Sequence, residues 1–298
     1  MLDRLASVLE RRFLLNAFVP LGLYFGGYVW LLEWAMGRLG HDIRVWESSP
    51  FPTKALIAAG FFGLIWFFAG FLSNQWRNLI RLYEGYLFRG PAKGLGRLGI
   101  EAHRARRLGM VAAGRLTYFD YPRRAKDILP TRLGNVLRAA EHYPMDRYGA
   151  DYPLLWTRLG HVVPERVLRD MEDYRSALEF LVVATSGFAT FGILAAATCA
   201  ATGHGPTPFL LFLLGGCVLA YIAYSSAIHT AQEYGEAMRA SFDLFRNELL
   251  VRMRWPVPTT PEEEIVIWRE ITGFIGADAG REHPYSHAWV DLDPERFR

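Results

Sequence analysis

Four long apolar segments constrain this chain more than any other feature of its sequence. They are Phe13–Met36, Ala55–Ser73, Phe180–Thr202 and Pro208–Ile228. Each has about the 20 residues that an α-helix needs to cross a bilayer core of about 30 Å. Because backbone groups in lipid must be satisfied within the segment, each is predicted to be a transmembrane helix. The sequence therefore predicts an all-α, polytopic membrane protein with four transmembrane helices in two hairpins and a helical cytoplasmic domain.

The composition fits this class and points to no prosthetic group. Of the 298 residues, 51% are hydrophobic, and they are clustered rather than dispersed. Cys199 and Cys217 fall within apolar segments, so packing is expected of them rather than a disulfide or a metal site. Pro284 separates His283 from His287 and argues against a helix that would present both to one metal. No metal or cofactor is predicted.

The charge distribution predicts the topology. The block from Arg77 to Arg175 carries 19 Lys/Arg against 11 Asp/Glu, whereas the Gly203–Thr207 loop has no charged residue. Under the positive-inside rule this block and both termini lie in the cytoplasm. The predicted location is the bacterial inner membrane, with multiple spans.

Four regions follow from these assignments. Residues 1–76 hold an amphipathic N-terminal helix and the first hairpin, and residues 77–176 form a helical cytoplasmic domain. Residues 177–230 form the second hairpin, and residues 231–298 form a cytoplasmic helical extension and an irregular tail. In the extension, Thr260-Pro261-Glu262-Glu263 is a helix-start signal and predicts a helix over Pro261–Ile275.

The fourth span is predicted to continue as one long helix, because no proline occurs until Pro256. After the span, Met238, Phe242, Phe245 and Leu249 form one apolar stripe at helical spacing. Such a stripe needs a partner surface, which self-association could supply.

No motif in the sequence predicts catalysis. GxSxG, P-loop, HExxH and CxxC patterns are absent from it. Gly94–Gly99 matches GxGxxG, but it follows a predicted helix where a dinucleotide site needs a strand. A flexible turn is therefore expected there. No catalytic residue is predicted, and the chain is not expected to be an enzyme, although a membrane-bound enzyme remains an alternative.

Polar residues within or beside the spans are the candidate pore lining. Such residues are costly in lipid and usually face protein or water. The first span offers a stripe at four-residue spacing and the fourth span a shorter one. The candidates are Asn16, Tyr24, Tyr28, Ser225 and His229. Hydrogen bonding between helices is the alternative role.

The central stretch Thr131–Leu159 has a dense mix of arginine, carboxylate and aromatic residues. Thr131 is predicted to cap a helix that ends at Tyr143–Pro144. Met145–Ala150 is predicted to form a turn. Asp151 is predicted to cap a second short helix. The candidates for a structural or partner contact are Arg132, Asn135, Arg138, Glu141, Arg147, Asp151, Trp156 and Arg158. Ion pairing that ties short helices together is favoured over an acid–base site.

Four patterns resemble a family of bacterial four-span membrane proteins. They are LIRLYEGY at Leu79–Tyr86, PTRLGNVLRAAE at Pro130–Glu141, RYGAD at Arg147–Asp151 and LLWTRL at Leu154–Leu159. The resemblance runs over most of the region between the second and third spans. It implies the four-span topology and brings no activity. In topology alone the chain is also similar to bestrophin-like and large-pore channels.

Two functions fit these observations. The first is a homo-oligomeric channel or pore-like protein. The alternative is a non-conducting membrane scaffold or regulator whose cytoplasmic domain binds a protein partner. The expected partners are the lipid bilayer, further copies of the chain and a cytoplasmic protein. Anionic lipid headgroups are expected at the basic cluster His103–Arg107. No nucleic acid is expected.

Overall fold

The structure is a computed structural model that describes residues 13–89, 93–115 and 117–276. Every regular element in these ranges is helical, which confirms the all-α prediction. The amphipathic helix predicted within residues 1–12 lies outside the described residues, and so does the tail after residue 276.

Nine α-helices lie in the described ranges. In chain order they are α1 (Val19–Ala35), α2 (Leu39–Ser48), α3 (Phe51–Tyr83), α4 (Lys93–Ala112), α5 (Arg132–Tyr148), α6 (Tyr152–Leu159), α7 (Glu165–Ala201), α8 (Pro206–Arg252) and α9 (Pro261–Gly276). A π-helical turn, Leu14–Phe18, precedes α1, and two short 3-10 helices, Tyr86–Arg89 and Ala125–Asp127, flank α4 and its following loop.

The chain divides into two compact units. Unit 1 takes the described residues up to Leu87 together with Arg175–Thr230. Unit 2 takes Phe88–Tyr174 and the described residues from Ala231 onward. Helices α7 and α8 therefore each contribute residues to both units.

Three helices among the described residues are long and apolar enough to cross a membrane. They are Phe51–Leu72 within α3, together with α7 and α8. The first apolar segment is not clearly a fourth such helix, because α1 has only 17 residues. The π-helical turn Leu14–Phe18 interrupts the regular α-helix that the sequence predicted from Phe13.

Aromatic rings and glycines hold the helices of unit 1 together. The rings of Phe25 in α1 and Phe68 in α3 lie 5.5 Å apart. Helices α7 and α8 cross at Gly192 and Gly216, where a Cβ built on Gly216 would lie 2.6 Å from the Gly192 Cα. The small residues that the sequence placed on these two segments therefore permit backbone-to-backbone contact.

The core of unit 2 is built by α5, α6, α9 and the C-terminal part of α8. Trp268 and Phe242 are fully buried in it, with their ring centroids 5.3 Å apart. The predicted stripe of α8 lies in this cluster, since Met238 and Leu249 are buried and Phe245 packs against them. The stripe thus has its partner surface within the same chain.

The helix caps of unit 2 follow the sequence signals. The Thr131 hydroxyl accepts from the Gly134 N–H at 3.1 Å, and the Asp151 carboxylate accepts from the Leu154 N–H at 3.2 Å. At α9, Thr260 accepts from the Glu263 N–H at 3.2 Å. Each confirms a predicted start, because these oxygens satisfy backbone donors that the first turn leaves open.

The predicted stop at Tyr143–Pro144 was wrong. Helix α5 continues through Pro144 to Tyr148. It ends at Gly149, where φ is 76° and the Ala150 N–H reaches the Pro144 carbonyl at 3.3 Å. A proline costs one helical hydrogen bond, and here the buried faces on both sides of it keep the helix in place, while glycine permits the left-handed residue that ends it.

The turn expected at Gly94–Gly99 was also wrong, since these residues lie in α4. A Cβ on Gly96 would lie 2.7 Å from the Phe88 Cβ, and one on Gly99 would lie 2.7 Å from the Pro130 carbonyl oxygen. The two glycines therefore let neighbouring segments approach the helix closely, which outweighs their low helix propensity.

The crossing of α7 and α8 gives a stability prediction. Gly216→Ala should lower the thermal unfolding midpoint of the purified chain in detergent by several degrees, because overpacking costs about 1–3 kcal/mol. Gly215→Ala is the matched control, since a Cβ there meets nothing within 4 Å. Circular dichroism would measure both, and equal midpoints would contradict the close contact.

Candidate functional site

The candidate pore residues of α1 pack against α7. The rings of Tyr24 and Phe191 lie 5.8 Å apart, and those of Tyr28 and Phe191 lie 6.3 Å apart. The Tyr28 hydroxyl also hydrogen-bonds Thr198 Oγ1 at 3.2 Å. These two tyrosines therefore act as packing residues between two helices of unit 1.

The other candidate pore residues have no contact with these two tyrosines among the described side chains. The side chain of Asn16 lies outside what the structure describes, although its backbone belongs to the π-helical turn. Ser225 is half-buried and His229 is exposed on α8. Within the described residues, no hydrogen bond or ring contact joins either of them to the tyrosines of α1.

Several other hydroxyl groups of the apolar helices have partners within unit 1. Thr185 and Thr190 donate to carbonyls one turn back, at 2.7 Å and 2.8 Å. Tyr83 and Ser186 hydrogen-bond each other at 2.9 Å. Polar groups in an apolar environment need such partners, and these hydrogen bonds supply them within unit 1.

The central candidates separate into different structural roles. Asn135 is buried; its side chain accepts from the Leu129 N–H at 2.8 Å and donates to the Leu129 and Thr131 carbonyls at 2.8 and 2.7 Å. It thereby fixes the loop that enters α5. Asp151 caps α6, and Trp156 stacks on Tyr152 with centroids 5.6 Å apart.

The charged candidates do not form one network. Arg132 reaches Asp120 at 3.8 Å and Arg138 reaches Glu141 at 3.7 Å, in separate pairs. Burial raises the pKa of the Glu141 carboxyl, and Arg138 opposes that shift. Two further candidates are exposed: Arg147 lies 5.9 Å from the Tyr148 ring centroid, and Arg158 donates to the Leu154 carbonyl at 3.4 Å.

Asp243 is a structural residue that the sequence analysis missed. Its two carboxylate oxygens accept from the Tyr143 and Tyr148 hydroxyls at 2.9 Å and 2.7 Å. Burial raises the pKa of both phenols, with Asp243 adding to the shift, so both remain donors at neutral pH. The partners lie about a hundred residues apart in sequence, and no local motif signals the pairing.

Arg239 was also missed. It is 3% exposed, its guanidinium donates to the Tyr118 carbonyl at 3.0 Å, and it pairs with Glu236 at 3.2 Å. The faces of Tyr118, Phe119 and Tyr143 surround it at 5.2–6.0 Å from their centroids. The available signal was an arginine directly after Met238, at the edge of the apolar stripe of α8.

A pocket of about 480 Å³ opens in unit 2 beside Arg239, and two of the rings that contact Arg239, Tyr118 and Tyr143, line it. Three arginines and three tyrosines line it together with three smaller or acidic residues. They are Arg107, Arg123, Arg147, Tyr118, Tyr121, Tyr143, Thr117, Ala139 and Asp146. Among the described residues no group of three or more His, Cys, Asp or Glu could hold a metal. The pocket therefore offers guanidinium and phenol groups to a ligand.

The outer face of α4 is the second surface that could bind something. Leu95 and Leu98 are 66% and 65% exposed there, and Ala102 and Ala105 continue the same face at helical spacing. Arg106 flanks this face on one side, and Glu101 followed by Arg97 and Arg104 lies on the other; all four are exposed. The helix carries five Lys/Arg and one Glu, so the border of its exposed apolar face has a net basic charge.

Removing the acceptor of the two phenols should destabilise unit 2. Asp243→Ala leaves Tyr143 and Tyr148 without their carboxylate, and each buried donor that loses its acceptor costs about 1–3 kcal/mol. Asp170→Ala, at an exposed position of α7, is the control. Chemical unfolding followed by circular dichroism should place the Asp243 variant well below the control, and coincident curves would refute the role.

Comparison with known proteins adds no relative to these observations. No family model matches the chain, and neither curated proteins nor solved structures match it.

Proposed function

We propose that this chain is a bacterial inner-membrane protein that does not conduct and whose unit 2 is a binding module at the cytoplasmic surface. It would act as a scaffold or regulator rather than as an enzyme. The observation that carries the proposal is the outer face of α4, where Leu95 and Leu98 are about two-thirds exposed and the bordering charged residues are mostly basic.

The membrane assignment is supported by the exposed apolar surface of α3. Phe51 is 80% exposed and Leu56 is 75% exposed, and large apolar side chains follow them along the helix. A soluble protein rarely exposes so continuous an apolar face. The π-helical turn and α1 together cover residues 14–35, or about 33 Å at helical rise, and would supply a fourth crossing. With an even number of crossings, the basic block would put both termini in the cytoplasm.

The absence of conduction is supported by how unit 1 uses its polar groups. Tyr28 is bound to Thr198 and Tyr83 to Ser186, so two hydroxyl pairs that could line a water path are occupied between helices. The apolar stripe of α8 is buried in the core of unit 2, which removes one reason for the chain to assemble with copies of itself.

Anionic lipid is the occupant we propose for the outer face of α4. A protein held in a bilayer has such lipid at high local concentration. Leu95 and Leu98 would enter the headgroup–acyl boundary, and the flanking Arg97, Arg104 and Arg106 would contact phosphates. Juxtamembrane basic residues contribute about 1 kcal/mol each at such a surface.

A homo-oligomeric channel is the second candidate, and one observation favours it. Helix α8 exposes Leu211, Leu214, Val218 and Tyr221 along one side, which a second copy of the chain could cover instead of lipid. Asn16, Ser225 and His229 would then supply the polar lining.

Ion flux separates the two functions. Proteoliposomes with the purified chain should show no flux above protein-free vesicles under varied voltage, pH and ions. Flux that Asn16→Leu abolishes, and that Leu23→Ala at an exposed apolar position leaves intact, would establish the channel and overturn the proposal.

The depth of α4 tests the membrane contact. A nitroxide on Leu98→Cys, in a Cys199→Ala/Cys217→Ala background, should be more accessible to oxygen than to a water-soluble nickel chelate in anionic vesicles, because its face enters lipid. A label on Glu262→Cys, exposed at the start of α9, should show the reverse. Equal accessibility at both sites would contradict the lipid contact.

A further inference from the structure

The pocket of unit 2 carries an excess of positive charge. Arg107, Arg123 and Arg147 contribute guanidinium groups to its lining, and Asp146 is the single carboxylate there. That carboxylate is paired at 3.1 Å with Arg124, which lies outside the lining. A ligand in the pocket therefore meets three cations and one already neutralised anion.

The guanidinium groups have donors to offer. Arg107 uses one terminal nitrogen on the Arg123 carbonyl at 2.8 Å, which fixes its position. Its Nε is buried and has no hydrogen-bond partner among the described residues. Arg123 makes one long bond of 3.4 Å to the Asp146 carbonyl. Since each guanidinium carries five N–H donors, the terminal nitrogens of Arg107 and Arg123 keep further donors beyond these two bonds.

The tyrosines of the lining do not cancel this charge. Tyr121 shares a hydrogen bond of 3.0 Å with His103 Nδ1, and burial raises the pKa of its phenol, which stays neutral. Tyr143 donates to Asp243, outside the lining. Their rings give the pocket apolar walls against which the body of a ligand can pack.

The buried Arg239 adds a positive charge behind the side chains that line the pocket. It lies 5.3 Å from the Tyr118 ring centroid and 6.0 Å from that of Tyr143. Its partner Glu236 is half-exposed, with a side-chain exposure of 52%, so solvent screens that carboxylate more than it screens the arginine. Four guanidinium groups thus lie at or behind the lining, against the three carboxylates of Asp146, Glu236 and Asp243.

We propose that this pocket binds a phosphorylated ligand, with Arg107, Arg123 and Arg147 contacting its phosphate oxygens. Planar guanidinium groups bind phosphate by paired hydrogen bonds, and three of them suit a ligand with two or more negative charges. The phosphate can belong to a free small molecule or to a lipid headgroup. The inference goes beyond the proposed function, because the same pocket would serve a conducting or a non-conducting protein.

Titration calorimetry of the full-length protein in a neutral detergent tests this site. Inorganic pyrophosphate is the free probe, and vesicles containing phosphatidylinositol phosphate, compared with phosphatidylcholine vesicles, are the lipid probe. The native protein should bind at least one phosphate probe at submillimolar concentration. Arg123→Gln/Arg147→Gln should weaken that binding about tenfold or more, because charge-assisted hydrogen bonds are lost.

Two control variants test whether the binding is specific to this pocket. Arg166→Gln/Arg169→Gln removes two exposed arginines of unit 2 that do not line the pocket, and should bind as the native protein does. Arg123→Lys/Arg147→Lys keeps the charge and should retain part of the affinity. Circular dichroism confirms that each variant is folded.

The outcomes decide the proposal and the source of the phosphate. Binding of pyrophosphate alone identifies a free ligand, and binding of the phosphoinositide vesicles alone identifies a headgroup. No binding of either probe at millimolar concentration overturns the proposal. An equal loss in the Arg166/Arg169 control also overturns it, since the binding would then reflect surface charge and not this pocket.

Discussion

The fold depends on α7 and α8 remaining unbroken over their whole lengths. Each supplies an apolar stretch to unit 1 and a packed stretch to unit 2. In unit 1 their backbones touch at Gly192 and Gly216, where there is no room for a Cβ. In unit 2 the continuation of α8 buries Phe242 and Leu249 beneath α5, α6 and α9. A break in either helix would disturb the packing of both units, because each helix contributes residues to both.

Two arginines of unit 2 contact both aromatic rings and carboxylates. Arg246 pairs with Glu264 at 2.7 Å and lies 4.7 Å from the Tyr148 ring centroid. Arg239 is enclosed by Tyr118, Phe119 and Tyr143. A guanidinium can stack on rings and still donate hydrogen bonds at its edge, so each of these cations combines ring contacts with a single carboxylate partner. This leaves unit 2 with basic surfaces at the pocket and on α4.

The predictions from sequence succeeded where the signal was local. Thr131, Asp151 and Thr260 cap the helices that follow them, because an oxygen at that position satisfies donors of the first turn whatever lies nearby. They failed where packing overrode a local preference. Pro144 lies within α5, and Gly96 lies in a helix, because tertiary contacts at both places outweigh what the residue alone would favour.

The sequence by itself determined that the chain is helical, where three long apolar helices lie and which residues cap α5, α6 and α9. Those properties rest on composition, periodicity and caps, which act over one or two turns. Only the tertiary structure decided that the stripe of α8 is covered within the chain, that Asp243 accepts from two tyrosines, and that Arg107, Arg123 and Arg147 line one pocket. These groups are far apart in sequence, and the packing of helices with the irregular segment before α5 brings them together.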